Sequence, residues 1–113
     1  MSGEPRVVVV GGGIVGLSTA MALASGERPV RPMVLEKEDR VGAHQTGHNS
    51  GVIHSGIYYK PRSLKARYTV EGSRQMVEFC RRHAIAHEIC GKVVVATSDS
   101  ELPRLEELQR RAG

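Results

Sequence analysis

A glycine-rich turn and a carboxylate are the residues best suited to chemistry in this 113-residue chain. Gly11, Gly13 and Gly16 occupy the glycine positions of G-x-G-x-x-G. The first allows a tight turn, the second a close approach of a pyrophosphate, and the third close packing of a helix. Glu36 follows at the spacing of a carboxylate that binds a ribose diol. The pattern predicts a dinucleotide site. Glu36 would repel a 2′-phosphate, which disfavours NADP, whereas NAD and FAD both stay open.

Two apolar runs would position these residues. Arg6 to Val10 is almost wholly apolar and β-branched, which is typical of a strand buried on both faces. Residues at helical spacing follow from Ile14 to Ala22, and the N-terminus of this helix would direct its free N–H groups at the phosphates. Met33 to Leu35 reads as a second buried strand. The order strand, helix, strand predicts an α/β fold, the Rossmann-like βαβ start of a doubly wound parallel sheet.

The length of the chain suits one small domain with a core, but not a complete dinucleotide enzyme. A sheet of only two parallel strands is not stable by itself. We therefore expect an N-terminal piece of a longer protein, with an incomplete fold. Residues 5–62 are predicted to form the βαβ unit with a cofactor-contacting loop. Residues 63–113 are predicted to form a helix, short strands and the start of a helix that lead into a second, substrate domain.

The charge of the chain argues against nucleic acid as a partner. Its 16 basic and 12 acidic residues give a net charge of +4, and there is one Phe and no Trp to stack on bases. The excess of Arg suits an anionic cofactor and substrate. No run approaches the length of a transmembrane segment, and we expect no signal peptide, because the predicted first strand begins at Arg6. We expect a cytoplasmic protein, and peripheral association with the inner membrane stays open.

The second half of the chain carries further local signals. Leu64 to Arg82 has helical periodicity, and His87 to Cys90 and Lys92 to Thr97 read as short strands. Ser98 to Glu101 matches a capping box, which would begin a final helix over Leu102 to Ala112.

The two cysteines, Cys80 and Cys90, form no C-x-x-C motif. A chain expected in the cytosol keeps its thiols reduced. We therefore predict two reduced, buried thiols.

The loop after the second strand distinguishes between the two cofactors. It is long, polar and rich in glycine, and loops of this length are usually functional. Thr46 and Ser50, beside the small Gly47 and Gly51, can bring hydroxyl and N–H donors to a phosphate or a flavin ring edge. An NAD site has no use for such a stretch, so the loop favours FAD.

Two segments, Gly11 to Thr19 (GGGIVGLST) and His44 to Pro61 (HQTGHNSGVIHSGIYYKP), resemble FAD-dependent oxidoreductases of the D-amino-acid-oxidase superfamily. Within it, the resemblance is to L-2-hydroxyglutarate dehydrogenases and oxidases. The first segment is shared by many flavoproteins, and the second is far more specific. Shorter matching segments are Leu35–Glu38, Ser63–Ala66, Cys90–Lys92 and Leu102–Leu105.

This resemblance implies oxidation of L-2-hydroxyglutarate, a small 2-hydroxy-dicarboxylate, to 2-oxoglutarate. The C2 hydride would pass to the flavin N5 while a base takes the hydroxyl proton, and a quinone or oxygen would accept the electrons. The residues expected to clamp the substrate carboxylates lie beyond Gly113, so the substrate follows from family analogy. The implied FAD-binding residues are Gly11, Gly13, Ile14, Val15, Gly16, Glu36, Lys37, Thr46, His48, Asn49, Ser50 and Gly51.

The histidines of the loop have alternative roles. His54 is the candidate catalytic base, because an imidazole titrates near neutral pH. The alternative is that it orients or packs against the flavin. His48 has a further alternative, a covalent bond to the flavin. His44 reads as a polar loop residue, and we expect no metal site, because no Cys or carboxylate joins the histidines at ligand spacing.

Three other functions remain as alternatives to the implied one. The first is a related flavoenzyme acting on an amine, an amino acid or a glycerol phosphate. The second is a nucleotide-binding piece without catalysis of its own, whose helices would expose apolar faces. The third is an NAD-dependent dehydrogenase, against which the polar loop argues.

Overall fold

The computed structural model of the chain describes residues 6–28 and 30–112. Pro5 and Gly113, the outer ends of the two predicted segments, lie outside the described residues. The chain divides into two compact units between Gly51 and Val52, and the predicted boundary at residue 62 stays a prediction. The elements are β1 (Val7–Val10), α1 (Ile14–Ser25), β2 (Pro32–Leu35), α2 (Leu64–Arg82), a 3-10 turn (Asp99–Glu101) and α3 (Leu102–Ala112).

The first unit contains a parallel two-stranded sheet. Val7 pairs with Pro32 and Val10 with Leu35, so that β1 and β2 run side by side over their whole length. Parallel strands need a crossover, which α1 provides. This helix packs on both strands and buries Ala20. The unit confirms the predicted α/β class and its Rossmann-like βαβ start.

The strands are not buried on both faces, which corrects the prediction for Arg6 to Val10. Val7 and Val9 are half-buried, but Val8 and Val10 are exposed, Val10 by 84%. Successive side chains of a strand point to opposite faces. Here α1 covers one face, and no second layer belongs to the described part of this unit. β1 therefore has the apolar composition of a strand covered on both faces, but in the described part of this unit only one of its faces is covered.

The N-terminus of α2 coincides with its predicted start. The side-chain oxygen of Ser63 accepts a hydrogen bond of 3.1 Å from the Ala66 N–H, which satisfies one of the unpaired donors of the first turn. The second unit therefore has a helix whose beginning is encoded locally, by a serine directly before the apolar stripe.

The C-terminus of α2 is closed by a Schellman motif. The Ile85 N–H donates to the carbonyl oxygen of Cys80 at 2.9 Å, across the end of the helix. Ala84 lies between them with a φ of 53°, in the left-handed region that glycine normally occupies. An alanine here carries a conformational cost that a glycine would not.

The segment between α2 and α3 differs from its prediction. Neither His87–Cys90 nor Lys92–Thr97 is a strand in the structure, because among the described residues neither run pairs with another strand. Cys90 lies in this irregular segment and is exposed, so the prediction that both thiols are buried is wrong for Cys90. Cys80 is buried on α2 as predicted, and both thiols are free.

The capping box before α3 is replaced by another arrangement. The backbone N–H of Glu101 donates to the carbonyl oxygen of Ser98 in a 3-10 turn, so it is not available to the Ser98 hydroxyl. The Glu101 carboxylate instead accepts from the N–H and the hydroxyl of Thr97, at 2.8 and 3.0 Å. The helix nevertheless spans Leu102–Ala112 as predicted.

The three helices differ in length and polarity. The apolar α1 has 12 residues, whereas the longer α2, with 19 residues, carries charged side chains along its length. A helix that crosses a bilayer needs about 20 mostly apolar residues. None of the helices between residues 6 and 112, leaving aside residue 29, meets both requirements.

Candidate functional site

The turn between β1 and α1 is shaped by its outer glycines. Gly11 has a φ of 104°, and its N–H donates to the carbonyl oxygen of Leu35 at 2.7 Å, which fastens the turn to β2. A Cβ on Gly16 would overlap the carbonyl oxygen of Gly11 and lie 3.4 Å from Val9. The helix can therefore approach the strand this closely only without a side chain at residue 16. Both glycines do what the motif predicts of them.

The N-terminus of α1 presents backbone donors. The N–H groups of Gly13, Val15 and Gly16 have no acceptor among the described residues, and Gly13 at the N-cap offers no side-chain cap. A helix N-terminus with free N–H groups carries a positive partial charge. No acidic side chain lies in this first turn. The turn therefore has the donors and the charge that an anionic phosphate requires.

Glu36 extends this site at the end of β2. One carboxylate oxygen accepts from the Gly12 N–H at 2.6 Å and the other from the Glu38 N–H at 3.1 Å. The Glu38 hydrogen bond, followed by that of Gly12, lowers the pKa of Glu36 below its ordinary value of 4.5. The carboxylate is therefore charged at neutral pH and stands beside the glycine turn.

The loop after β2 is tied to the same turn at two points. The Thr46 hydroxyl accepts from the Ile14 N–H, the first residue of α1, at 2.9 Å. The Gly42 N–H donates to the carbonyl oxygen of Gly12 at 2.9 Å. Residues 32 positions apart thus meet at the N-terminus of one helix. The structure brings together the glycine turn, Glu36 and Thr46, as the sequence predicts of one site.

The remaining loop residues lie on the exposed side of this unit. His48 Nδ1 lies 2.8 Å from the carbonyl oxygen of His44. Asn49 bonds to the backbone of its own loop, and Gly51 has a φ of 64°. Ser50 is exposed. These residues follow Thr46 closely along the chain, and their predicted contacts with a cofactor stay predictions.

Two predicted residues need separate description. Lys37 is exposed, and its ammonium lies 3.5 Å from the Glu38 carboxylate. His54 is exposed in the second unit, and its role as a base stays a prediction. Within the described residues, no cluster of His, Cys, Asp and Glu could hold a metal ion.

Sequence reasoning missed Gly12 and Gly42. Both act through their backbone, Gly12 as a donor to Glu36 and an acceptor from Gly42. A Cβ on Gly12 would lie 3.0 Å from the Glu36 carboxylate and 3.1 Å from Val41. The signal was present in the sequence as a third consecutive glycine in the turn and as a glycine six positions after the acidic residue.

Comparison with known proteins identifies the family. The profile of the family described as FAD dependent oxidoreductase (DAO) matches residues 6–113. The chain belongs to this family. The glycine turn and the acidic residue at the end of the second strand therefore lie in a chain of an FAD-dependent family. The resemblance seen in the sequence is confirmed.

Individual relatives point to one kind of dehydrogenase. The chain is 51% identical over 105 residues to the mitochondrial L-2-hydroxyglutarate dehydrogenase of Homo sapiens, covering 93% of this chain and 23% of the relative. It is 52% identical over 105 residues to that of Pongo abelii, with 93% and 25% covered. It is 50% identical over 104 residues to the L-2-hydroxyglutarate dehydrogenase of Escherichia coli strain K12, with 92% and 25% covered. The chain thus spans about a quarter of the length of these curated relatives.

Proposed function

We propose that this chain is part of the FAD-binding domain of an enzyme that oxidises L-2-hydroxyglutarate to 2-oxoglutarate. The observation that carries the proposal is the identity of about half the residues, over more than nine-tenths of the chain, with L-2-hydroxyglutarate dehydrogenases of mammals and a bacterium. None of these three relatives is named for an amine, an amino acid or a glycerol phosphate, the alternative substrates.

The residues at the turn fit an FAD pyrophosphate and ribose. The N–H groups of Gly13, Val15 and Gly16, which have no acceptor within residues 6–28 and 30–112, suit phosphate oxygens. The charged carboxylate of Glu36 suits a ribose diol. The Thr46 hydroxyl stands at the same helix end. The other residues that we assign to the FAD site are Gly11, Ile14, Lys37, His48, Ser50 and Gly51.

The chemistry would be divided between the cofactor and the protein. When bound, FAD supplies the hydride acceptor for C2 of the 2-hydroxy acid. The chain supplies the pocket for the dinucleotide and, in our proposal, the imidazole of His54 to hold the proton of the substrate hydroxyl. A quinone or oxygen as electron acceptor and a dicarboxylate as substrate belong to the same proposal.

A cytoplasmic location stays part of the proposal. The relatives of Homo sapiens and Pongo abelii carry mitochondrial names, whereas the Escherichia coli relative does not. Fractionation of cells that express the full-length protein, with an immunoblot of that protein as the readout, tests the location and any association with the inner membrane.

An absorbance spectrum of the full-length protein tests the proposed reaction. Recorded without oxygen, flavin bands should bleach when L-2-hydroxyglutarate is added, because the oxidised flavin takes up the hydride. Bands that persist with L-2-hydroxyglutarate but bleach with another 2-hydroxy acid or an amine would show that the enzyme has that other compound as its substrate. A colourless protein that does not take up added FAD would overturn the proposal.

A further inference from the structure

Asn49 uses its side chain almost entirely within its own loop. Its amide nitrogen donates to the carbonyl oxygens of Gln45 and Thr46, at 2.8 and 2.9 Å, and its amide oxygen accepts from the Gly51 N–H at 2.8 Å. A primary amide has two donor hydrogens. Both are engaged, so the Asn49 side chain has no donor left for a phosphate or a flavin.

Asn49 hydrogen-bonds to the backbone of Gln45 and Thr46, and Thr46 carries the hydroxyl at the N-terminus of α1. Thr46 Oγ1 accepts from the Ile14 N–H at 2.9 Å, where α1 begins. A Cβ on Gly13 would lie 3.2 Å from the same oxygen, so Thr46 also stands directly over the glycine turn. The position of this hydroxyl therefore depends on the conformation of residues 45 and 46, to which Asn49 is bonded.

Asn49 also shapes the exit of the loop. Its acceptance of the Gly51 N–H forms an Asx-turn, a motif in which an asparagine side chain replaces a backbone turn. Gly51 then adopts a φ of 64°, which few other residues tolerate. One side chain thus fastens both ends of the segment from Gln45 to Gly51.

We infer that Asn49 is a positioning residue for the FAD site, which acts by holding the Thr46 hydroxyl at the N-terminus of α1. This inference rests on the proposed function, because it concerns the same site. It changes the role expected from the sequence, in which Asn49 contacts the cofactor directly. The effect of Asn49 on FAD binding should therefore pass through Thr46.

A double-mutant cycle in the full-length protein tests this role. The variants are Asn49→Ala, Thr46→Val and their combination, and the measurement is the dissociation constant of FAD after the flavin has been removed and added back. We expect each single variant to weaken FAD binding by roughly tenfold or more, since each removes hydrogen bonds that hold the site. The double variant should be no weaker than Thr46→Val alone, because both act through one hydroxyl.

Two further variants separate positioning from general loss of structure. Thr46→Ser keeps the hydroxyl and should restore FAD affinity to within about threefold of the wild type, since its hydrogen bond contributes most of the effect. Asn49→Asp keeps the acceptor for Gly51 but loses both donors, so it should also weaken FAD binding by roughly tenfold or more, and it replaces Asn49→Ala in the test if the alanine variant misfolds. Gln45→Ala, at an exposed residue whose side chain makes no hydrogen bond within the described residues, is the matched control.

The outcomes distinguish the inference from the proposed function. Effects of Asn49→Ala and Thr46→Val that add up in the combined variant would overturn the positioning role, and so would an Asn49→Asp variant with wild-type affinity. A wild-type protein that takes up no FAD would overturn the proposed function and this inference with it.

Discussion

The two compact units of the chain differ in the reach of their side-chain hydrogen bonds. In the first unit, Glu36 and Thr46 bond to backbone groups 24 and 32 positions away. In the second unit, the side-chain hydrogen bonds of the described residues span four positions or fewer. Long-range bonds fix separate segments against one another, which a ligand site requires. Local bonds stabilise a helix or a turn by itself.

In the first unit, Gly16→Val should have the largest effect on FAD binding and stability. The new side chain would collide with the backbone of Gly11, so β1 and α1 must move apart. We expect the full-length protein to lose its flavin and about 1–3 kcal/mol of its free energy of unfolding. Flavin absorbance and chemical denaturation provide the two measurements.

The matched control is Gly72→Ala, in the middle of α2. A Cβ there meets nothing within 4 Å, so the variant should bind FAD normally and gain about 1 kcal/mol from the helix propensity of alanine. Normal flavin content in Gly16→Val would contradict the close approach described for this turn.

Gly13→Ala should lower the flavin content of the first unit without lowering its free energy of unfolding. Gly13 has a φ of −83°, which alanine adopts freely, and its Cβ would meet only the Thr46 hydroxyl, at 3.2 Å. A side chain there would nevertheless occupy the path of the pyrophosphate. We expect flavin content to fall below a tenth of the wild-type level, with a free energy of unfolding for the flavin-free protein within about 0.5 kcal/mol of the wild type. Full flavin content would exclude this glycine from the phosphate site.

In the second unit, Ala84→Gly should stabilise the protein. Ala84 sits at the left-handed position of the Schellman motif, where a Cβ costs about 1 kcal/mol. We expect an increase in the free energy of unfolding of about 0.5–1 kcal/mol, measured by denaturation of the full-length protein. Ala86→Gly is the control, because Ala86 is not at positive φ and its replacement should only destabilise. A loss of stability in Ala84→Gly would show that the helix end is held in another way.

The smallest effect should come from Glu71 on α2. Hydrogen bonds from the Arg74 side chain, followed by that of Gln75, lower the pKa of Glu71 from 4.5 to about 2. Because the folded pKa is depressed, the stabilisation is present above pH 4.5 and is lost as the pH falls towards about 2. The difference in free energy of unfolding between the wild type and Glu71→Gln should shrink through this range.

Glu78→Gln serves as the control for this pH dependence. Glu78 is exposed on the same helix and has no ion pair in the part of the chain that the structure describes. A difference between the wild type and Glu71→Gln that stays constant from pH 5 to about pH 2 would rule out the ionised pair as its source.

Local signals in the sequence predict the helices, but they do not predict the hydrogen bonds between distant segments. Leu64 to Arg82 was predicted to the residue, because a serine cap and an apolar stripe act within a few positions. The predicted strand over Lys92 to Thr97 failed, because a strand exists only beside a partner. The bonds of Glu36 and Thr46 to the turn depend on folding across the sheet, and no local pattern specifies them.

The register of the sheet has a kinetic consequence. Val7 pairs with Pro32, 25 positions later, and this separation is constant along the ladder. The entropy of closing the chain between β1 and β2 is lost before their ladder forms, which makes parallel pairing slow. We therefore expect the glycine turn, which follows β1 and is fastened to β2, to assemble late in folding. FAD that binds only the assembled turn would favour the native chain by mass action.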